Sequence, residues 1–224
     1  MYIRATSNLS RRANKLVLKY RSILEGYIER NPTFLTSLEP ITVGEDAPHI
    51  VKEMARSASR VGVGPMASVA GAIAEFVGNK LLAFSPEIII ENGGDIFLKS
   101  SKKRMIGIYA GESPLTGRIG LEVSGEDTPL GICTSSGTVG HSLSYGRADA
   151  VIVLSPSTTL ADAAATAIGN LINQPGDIPH GIELAKGIEG LSGVIIIQDD
   201  KMGLWGEIKI CQISELGHDS FLPV

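Results

Sequence analysis

Apolar side chains return every three or four residues along the first stretch of the chain. Leu9, Ala13, Leu16, Val17, Tyr20, Leu24 and Ile28 are separated by basic and polar positions, which predicts one long amphipathic helix. Ser7 or Asn8 is placed to cap it, and Pro32 ends it. TSLEPITVGEDAP, residues 36–48, is then a linker with room for a short strand. A second helix is expected from His49 to Ser59. A third, MASVAGAIAEFVG, follows the glycine-rich VGVGP, and Ala67, Ala70, Gly71 and Ala74 give it a small-residue face for close packing.

From Glu87 the period shortens. EIIIENGG, DIFLKS, RMIGIYAG, GRIGLEVS and LGICTSSG are short branched or aromatic runs punctuated by glycine, hence strands. DAVIVLSP is another strand, followed by an alanine-rich helix over 155–170. GDIPHGIELAKGIE is a weaker helix, SGVIIIQDD a strand, and LWGEIKICQI the last strand. Helices first and clustered strands afterwards predict an α+β fold. Its sheet should be largely antiparallel, covered by packed helices, with the long N-terminal helix outside. Residues 1–224 are expected to form a single domain, with 1–60 as a helical region that could be a layer of its own.

Composition narrows the function classes. The formal net charge is −4, and the densest basic run, Lys102, Lys103 and Arg104, suits a solvated turn. A nucleic-acid partner needs clustered Lys and Arg and is not expected. Cys133 and Cys211 are far apart, without metal-ligand spacing, which points to free buried thiols. No apolar run reaches the length of a membrane span and MYIRATSNLSRRANK is too polar for a signal peptide, so the expectation is a cytoplasmic protein without a membrane partner. A small-molecule substrate fits better, and a homo-oligomer stays open. The 26 glycines against 5% aromatic residues favour a site made of tight turns and close backbone approach.

Four pieces have that texture. GVGPMAS, containing Gly64, leads into a helix whose free N–H groups suit a phosphate, although it is neither a P-loop nor a dinucleotide fingerprint. A tight inter-helix turn would need the same glycines. ENGGD can form a turn through Asn92, Gly93 and Gly94, with Asp95 starting the next strand. CTSSGTVGHS supplies Ser136, Gly137 and His141. Asp162 and Thr166 lie four residues apart on the alanine helix, so a carboxylate and a hydroxyl share one face. They could be a buried polar pair, a helix cap, or hard oxygen ligands for Mg²⁺.

IENGGDIF, GVGPMASVAGAIAE, SSGTVGHSLSYGRADAV and LADAAATAIG together resemble an ApbE-like family, which is distantly similar to the FAD:protein FMN transferases. The resemblance to the ApbE-like family spans nearly the whole chain, and that to the transferases is confined to these motifs. It implies an ApbE-like fold and a magnesium ion held by Asp162, Thr166 and the backbone carbonyl of Ala67. It also implies a pocket for FAD or FMN around Asn92, Gly93, Gly94, Ser136 and Gly137, and the amides of Gly64 and its neighbours could complete a phosphate cradle. His141 matches the family's histidine, and His141 or Asp95 is the candidate base. The implied activity is a magnesium-dependent enzyme acting on a flavin nucleotide or similar phosphate-bearing small molecule. The alternative is a non-catalytic flavin or phosphometabolite-binding protein. Two departures favour the alternative: Ser68 stands where the transferases carry lysine, and SLSYGRAD follows His141 where they carry DP-x-TG.

Overall fold

The amphipathic stretch forms α1 (Ser10–Arg30), and its apolar face is buried through Ala13, Tyr20 and Leu24. Its entry is held by Asn8, whose Oδ1 accepts the Ser10 N–H at 3.1 Å. A short α2 (Thr33–Thr36) seats Phe34 in the core. The linker over 37–48 contains no strand. Then come α3 (His49–Val61), closed by the left-handed Gly62 (φ 77°), and a 3₁₀ turn at Pro65–Ser68 that leads into α4 (Val69–Leu81). The chain is described by a computed structural model over residues 1–137, 145–213 and 221–223, the last three by backbone alone.

Six strands follow the helices: β2 (Ile88–Asn92), β3 (Asp95–Lys99), β4 (Arg104–Gly107), β5 (Ile119–Val123), β6 (Leu130–Ser135) and β7 (Ala150–Ser155). After them come α5 (Thr158–Gly169), α6 (Ile178–Gly187), β8 (Gly193–Gln198), β9 (Lys201–Gly206), β10 (Lys209–Gln212) and β11 (Phe221–Pro223). One further strand, β1 (Tyr2–Ala5), precedes α1 and pairs antiparallel with β2. It was not expected from sequence, because four residues of alternating exposure show little periodicity. The run expected as one last strand is two, β9 and β10, which belong to different sheets and are separated at Gly206 (φ 102°).

Seven strands form one sheet in the order β1-β2-β3-β6-β7-β8-β9, with every pairing antiparallel. Four form a second sheet, β10-β5-β4-β11, in which β11 runs parallel to β4. The fold is α+β with largely antiparallel sheets and a long N-terminal helix, as the pattern predicted. The central strands of the seven-stranded sheet are buried on both faces. Ile152, Leu154, Ile195 and Ile197 face the second sheet, while Val151, Val153, Val194 and Ile196 face α5 and α6. That two-sided burial explains the unbroken apolar runs AVIVLS and GVIIIQ, where a half-exposed strand would alternate.

The helices of the first 81 residues share one core with the sheet: Tyr20, Phe34, Met54 and Val77 pack with Ile88, Ile90 and Phe97. Gly78 permits this, because a Cβ there would lie 2.2 Å from the Phe97 ring. α5 is clamped between the sheet and the outer helices. Ala163 and Ala167 meet Ala58 of α3, and a Cβ on Gly131 of β6 would lie 2.4 Å from the Thr158 Cα. Both cysteines are free thiols, Cys133 buried and Cys211 half-buried. Among the described residues no single helix is long and apolar enough to cross a membrane.

Candidate functional site

α5 explains its own composition. Ten of its twelve residues are buried, five of them alanine, so α4, α3 and the sheet can approach from all sides. The two that are not fully buried are Asp162 and Thr166. A helix buried all round has no need of polar side chains; Thr166 sits where the packing opens into a cavity, and Asp162 sits at the crossing with α4.

Asp162 faces the start of α4. Its Oδ2 accepts the Gly71 N–H at 2.8 Å, and the Ala70 N–H also favours the carboxylate. Asp162 is thus a cap, as one of the alternatives held, but for α4 and not for its own helix. α5 is capped by Ser157, whose Oγ accepts the Leu160 N–H at 3.3 Å. Gly71 is required at the crossing: a Cβ there would lie 2.6 Å from the Thr158 carbonyl oxygen and 2.7 Å from the Asp162 Cβ.

Thr166, one turn further along α5, lines a cavity of about 270 Å³ together with Gly64, Met66 and Ala67 of the turn before α4. Leu35, Ser37 and Leu38 form another wall, with Tyr145 and Asn170 at the far end. Tyr145 is tied there by its N–H, which donates to Asn170 Oδ1 at 2.9 Å. Gly64 has an ordinary φ of −71°. Its small size serves packing, since a Cβ would lie 1.8 Å from the Ser37 carbonyl oxygen.

The ENGGD turn meets α4 from the other side. Gly93 (φ 70°) and Gly94 (φ 101°) both hold positive φ between the paired Asn92 and Asp95, the pattern of a primed hairpin turn. Glu91 Oε1 accepts the Gly94 N–H at 3.0 Å, and Asn92 Nδ2 donates to the Ala70 carbonyl at 3.0 Å. The turn therefore grips the first turn of α4, next to the N–H groups that Asp162 caps.

Asp95 lies beneath, 5% exposed, with no hydrogen-bond partner at Oδ1. Burial, reinforced by the Asp162 charge, pushes its carboxyl well above the usual range, although contacts with Cys133 and the Thr134 N–H act in the opposite sense. Burial likewise raises Asp162 to about 7, against the two α4 N–H groups. Cys133, packed against the same carboxylates, holds its thiol proton for the same reason, so it is not a nucleophile.

Ser136 and Gly137 follow the end of β6. Gly137 is packed so closely on Gly146 that a Cβ would lie 2.0 Å from its carbonyl oxygen. It lines a separate open cleft with Arg147, Asp149 and Gln198. His141 lies outside the described residues. Sequence reasoning missed Glu75, Tyr145, Asn170 and the Leu35–Leu38 wall. Glu75 is the one acidic residue of α4, but Asn79 and Lys80 are polar too, so it carried no distinctive signal.

Among the described residues no group of three or more His, Cys, Asp or Glu side chains could hold a metal ion. A site of one carboxylate, one hydroxyl and one carbonyl is of another kind, and hard oxygens of that sort suit Mg²⁺. The charge pattern fits a cation too. Two carboxylates, Asp162 and Asp95, lie close together, and neither has an ion pair among the described residues. Asp95 Oδ1 and Thr134 Oγ1 are buried without partners.

A family model described as AbpE bacteria matches residues 1–182. The chain belongs to that family. It is also 47% identical over 203 residues to a UPF0280 protein of Methanocaldococcus jannaschii, covering 88% of this chain and 82% of the relative. A UPF0280 protein of Methanococcus aeolicus is 45% identical over 201 residues, with 88% and 81% covered. One from Methanosarcina acetivorans is 37% identical over 209 residues, with 92% and 82% covered. Among solved structures, the flavin transferase ApbE from Vibrio cholerae overlays with a TM-score of 0.46 at 16% identity, covering 91% of this chain and 76% of that one. The apo flavinyl transferase ApbE of Pseudomonas stutzeri gives 0.44 at 16%, with 91% and 74% covered. The resemblance drawn from the motifs thus holds as membership of that family.

Proposed function

We propose that the chain is a magnesium-dependent enzyme acting on a flavin nucleotide or a similar phosphate-bearing small molecule. The observation that carries this is the exposure pattern of α5: a helix otherwise buried leaves only Asp162 and Thr166 accessible, with Thr166 opening beside Ala67 into one cavity. In this proposal Asp162, Thr166 and the Ala67 carbonyl hold the ion. When bound, it would neutralise phosphate oxygens and stabilise the charge that develops as a P–O bond breaks.

The chain's own residues would do the rest. Leu35, Leu38 and Tyr145, exposed in the free chain, would cover the apolar part of the ligand, and Asn92 keeps the first turn of α4 in place. With FAD, an acceptor hydroxyl would bond to the flavin-side phosphorus, AMP would leave with the bridging oxygen, and the hydroxyl proton would pass to a base. We assign that base to His141. Asp95 is the weaker candidate, because it is buried beneath the site and burial with the Asp162 charge raises its proton affinity. Gly93, Gly94, Ser136 and Gly137 are proposed as the backbone rim of the flavin pocket, on the family resemblance.

FAD binding, followed by flavin fluorescence and calorimetry with magnesium and with chelator, tests the proposal. Wild type should bind only with magnesium, and Asp162→Asn and Thr166→Val should lose that dependence. Absence of binding under every condition overturns the flavin assignment. Magnesium-dependent binding without AMP release, read by mass spectrometry with and without acceptor proteins, would turn the enzyme into a binding protein. That second outcome has a motive in Ser68, which fills the transferase lysine's position and spends its hydroxyl on the Pro65 carbonyl at 2.8 Å.

A further inference from the structure

α4 carries one carboxylate in an apolar setting, and its contacts are specific. Glu75 Oε2 accepts the Thr159 N–H at 2.8 Å, the Thr159 hydroxyl at 2.8 Å and the Ser157 hydroxyl at 3.3 Å. The Thr159 N–H is one of the free donors at the start of α5. Asp162 does the same in reverse, its Oδ2 taking the Gly71 N–H, a free donor at the start of α4. The two helices run antiparallel, and each lends a carboxylate to the other's N-terminus, where the helix dipole favours negative charge. The spacing allows it. Gly71 and Glu75 are four residues apart on α4, and Thr159 and Asp162 three apart on α5, so donor and carboxylate lie on one stripe of each helix.

We propose that Glu75 is a positioning residue that fixes the axial register of α5 against α4 and so places Asp162. This rests on the metal site proposed above. A slip of one residue along α5 displaces the Asp162 carboxylate by about 1.5 Å, enough to break its hydrogen bond to Gly71 and to carry Thr166 away from Ala67. Glu75 does not line the Ala67–Thr166 cavity. It borders a groove on the outer side, with Tyr20 and Phe76, so its influence on the site passes through Ser157 and Thr159. A corollary follows: the start of α5 is already neutralised by Glu75, and a ligand phosphate belongs elsewhere.

A cap that served stability alone would lower the melting temperature without moving Asp162. The amide proton shift of Gly71 in folded, ¹⁵N-glycine-labelled protein distinguishes the two, because it reports the hydrogen bond to Asp162 and not the global stability. In Glu75→Ala the Gly71 amide should lose its carboxylate-bonded shift. Mn²⁺ affinity, measured by electron paramagnetic resonance, should fall about tenfold or more, as for other residues that orient a metal ligand. Glu75→Gln should restore both readouts in large part, since the amide oxygen still accepts from Thr159. If Glu75→Ala does not fold, Glu75→Asp, one methylene shorter with the charge kept, should show the same two changes. An unchanged Gly71 shift in a folded Glu75 variant overturns the proposal, whatever happens to the metal. If wild type binds no Mn²⁺ while Gly71 still responds to Glu75, the metal site falls and the positioning role stands.

Discussion

Asp162 carries two duties that oppose one another in proton affinity. Two α4 N–H groups favour its carboxylate, yet burial wins and raises its pKa to about 7. An unfolded aspartate titrates near 4, so the folded chain binds the extra proton between roughly pH 4 and 7. The sign follows. Holding Asp162 as an uncompensated anion costs stability that is absent below the lower value, grows through the window, and is complete above about 7. Metal-free wild type should therefore lose stability from pH 5 to pH 8 relative to Asp162→Asn, which keeps an oxygen for the Gly71 N–H and has no charge to bury. Urea denaturation of both proteins at the two pH values measures it, and a flat difference would mean that the carboxylate has a cation or solvent the structure does not suggest. If Mg²⁺ binds there, it must displace that proton, so its apparent affinity should climb by close to tenfold per pH unit below 7 and level off above. Calorimetry across pH 5.5 to 8.5 checks the slope.

At the scale of elements, the crossing of α4 and α5 is a close contact and the one that positions Asp162. Gly71→Ala places a methyl group against the Thr158 carbonyl and the Asp162 Cβ. Neither neighbour can retreat without moving a helix, so the expected cost is about 1–3 kcal/mol by denaturation, together with weaker metal binding. Ser157→Ala removes the hydroxyl that accepts from Leu160 and should cost about 1 kcal/mol. Here the sequence was informative in part. The Asp162–Thr166 pair stood out because polar residues at helical spacing interrupt a run of alanines, and α1, α3 and α5 were visible in apolar periodicity. Glu75 was not recognisable, since its partners lie 82 and 84 residues away and only the folded crossing brings them together. β1 was hidden for the same reason: YIRA becomes a strand by pairing with Ile88–Glu91. LWGEIKICQI misled in the opposite way. It has strand character throughout, but Gly206 holds a positive φ of 102°, and a Cβ there would lie 2.2 Å from the Ser192 carbonyl oxygen, so the chain turns at this glycine and crosses to the second sheet.

For the whole molecule, the decisive arrangement is a sheet covered on both faces, one by helices that build the site and the other by a four-stranded sheet that takes no part in it. Nothing in the order of strands announced the second sheet, because β4, β5 and β10 have the same branched, glycine-punctuated texture as their neighbours. The cover ends at β9, and one cross-strand pair marks the limit. Ile195 of β8 and Leu204 of β9 are directly paired, yet Ile195 is fully buried and Leu204 is 45% exposed. Ile195→Ala leaves a cavity between two layers that cannot close around it, and the expected loss is about 2–5 kcal/mol. Leu204→Ala removes a side chain already half in water, and should cost well under half as much, on the order of 1 kcal/mol for its remaining buried area. Denaturation of the two variants, at a low and a high protein concentration, tests this. Equal losses that grow with concentration would mean that a second copy covers Leu204 and Met202 in solution, and Leu204→Asp should then split the assembly in light scattering. A small loss for Leu204→Ala that does not depend on concentration means that the sheet ends in water at β9, and that whatever assembly the chain forms uses another face.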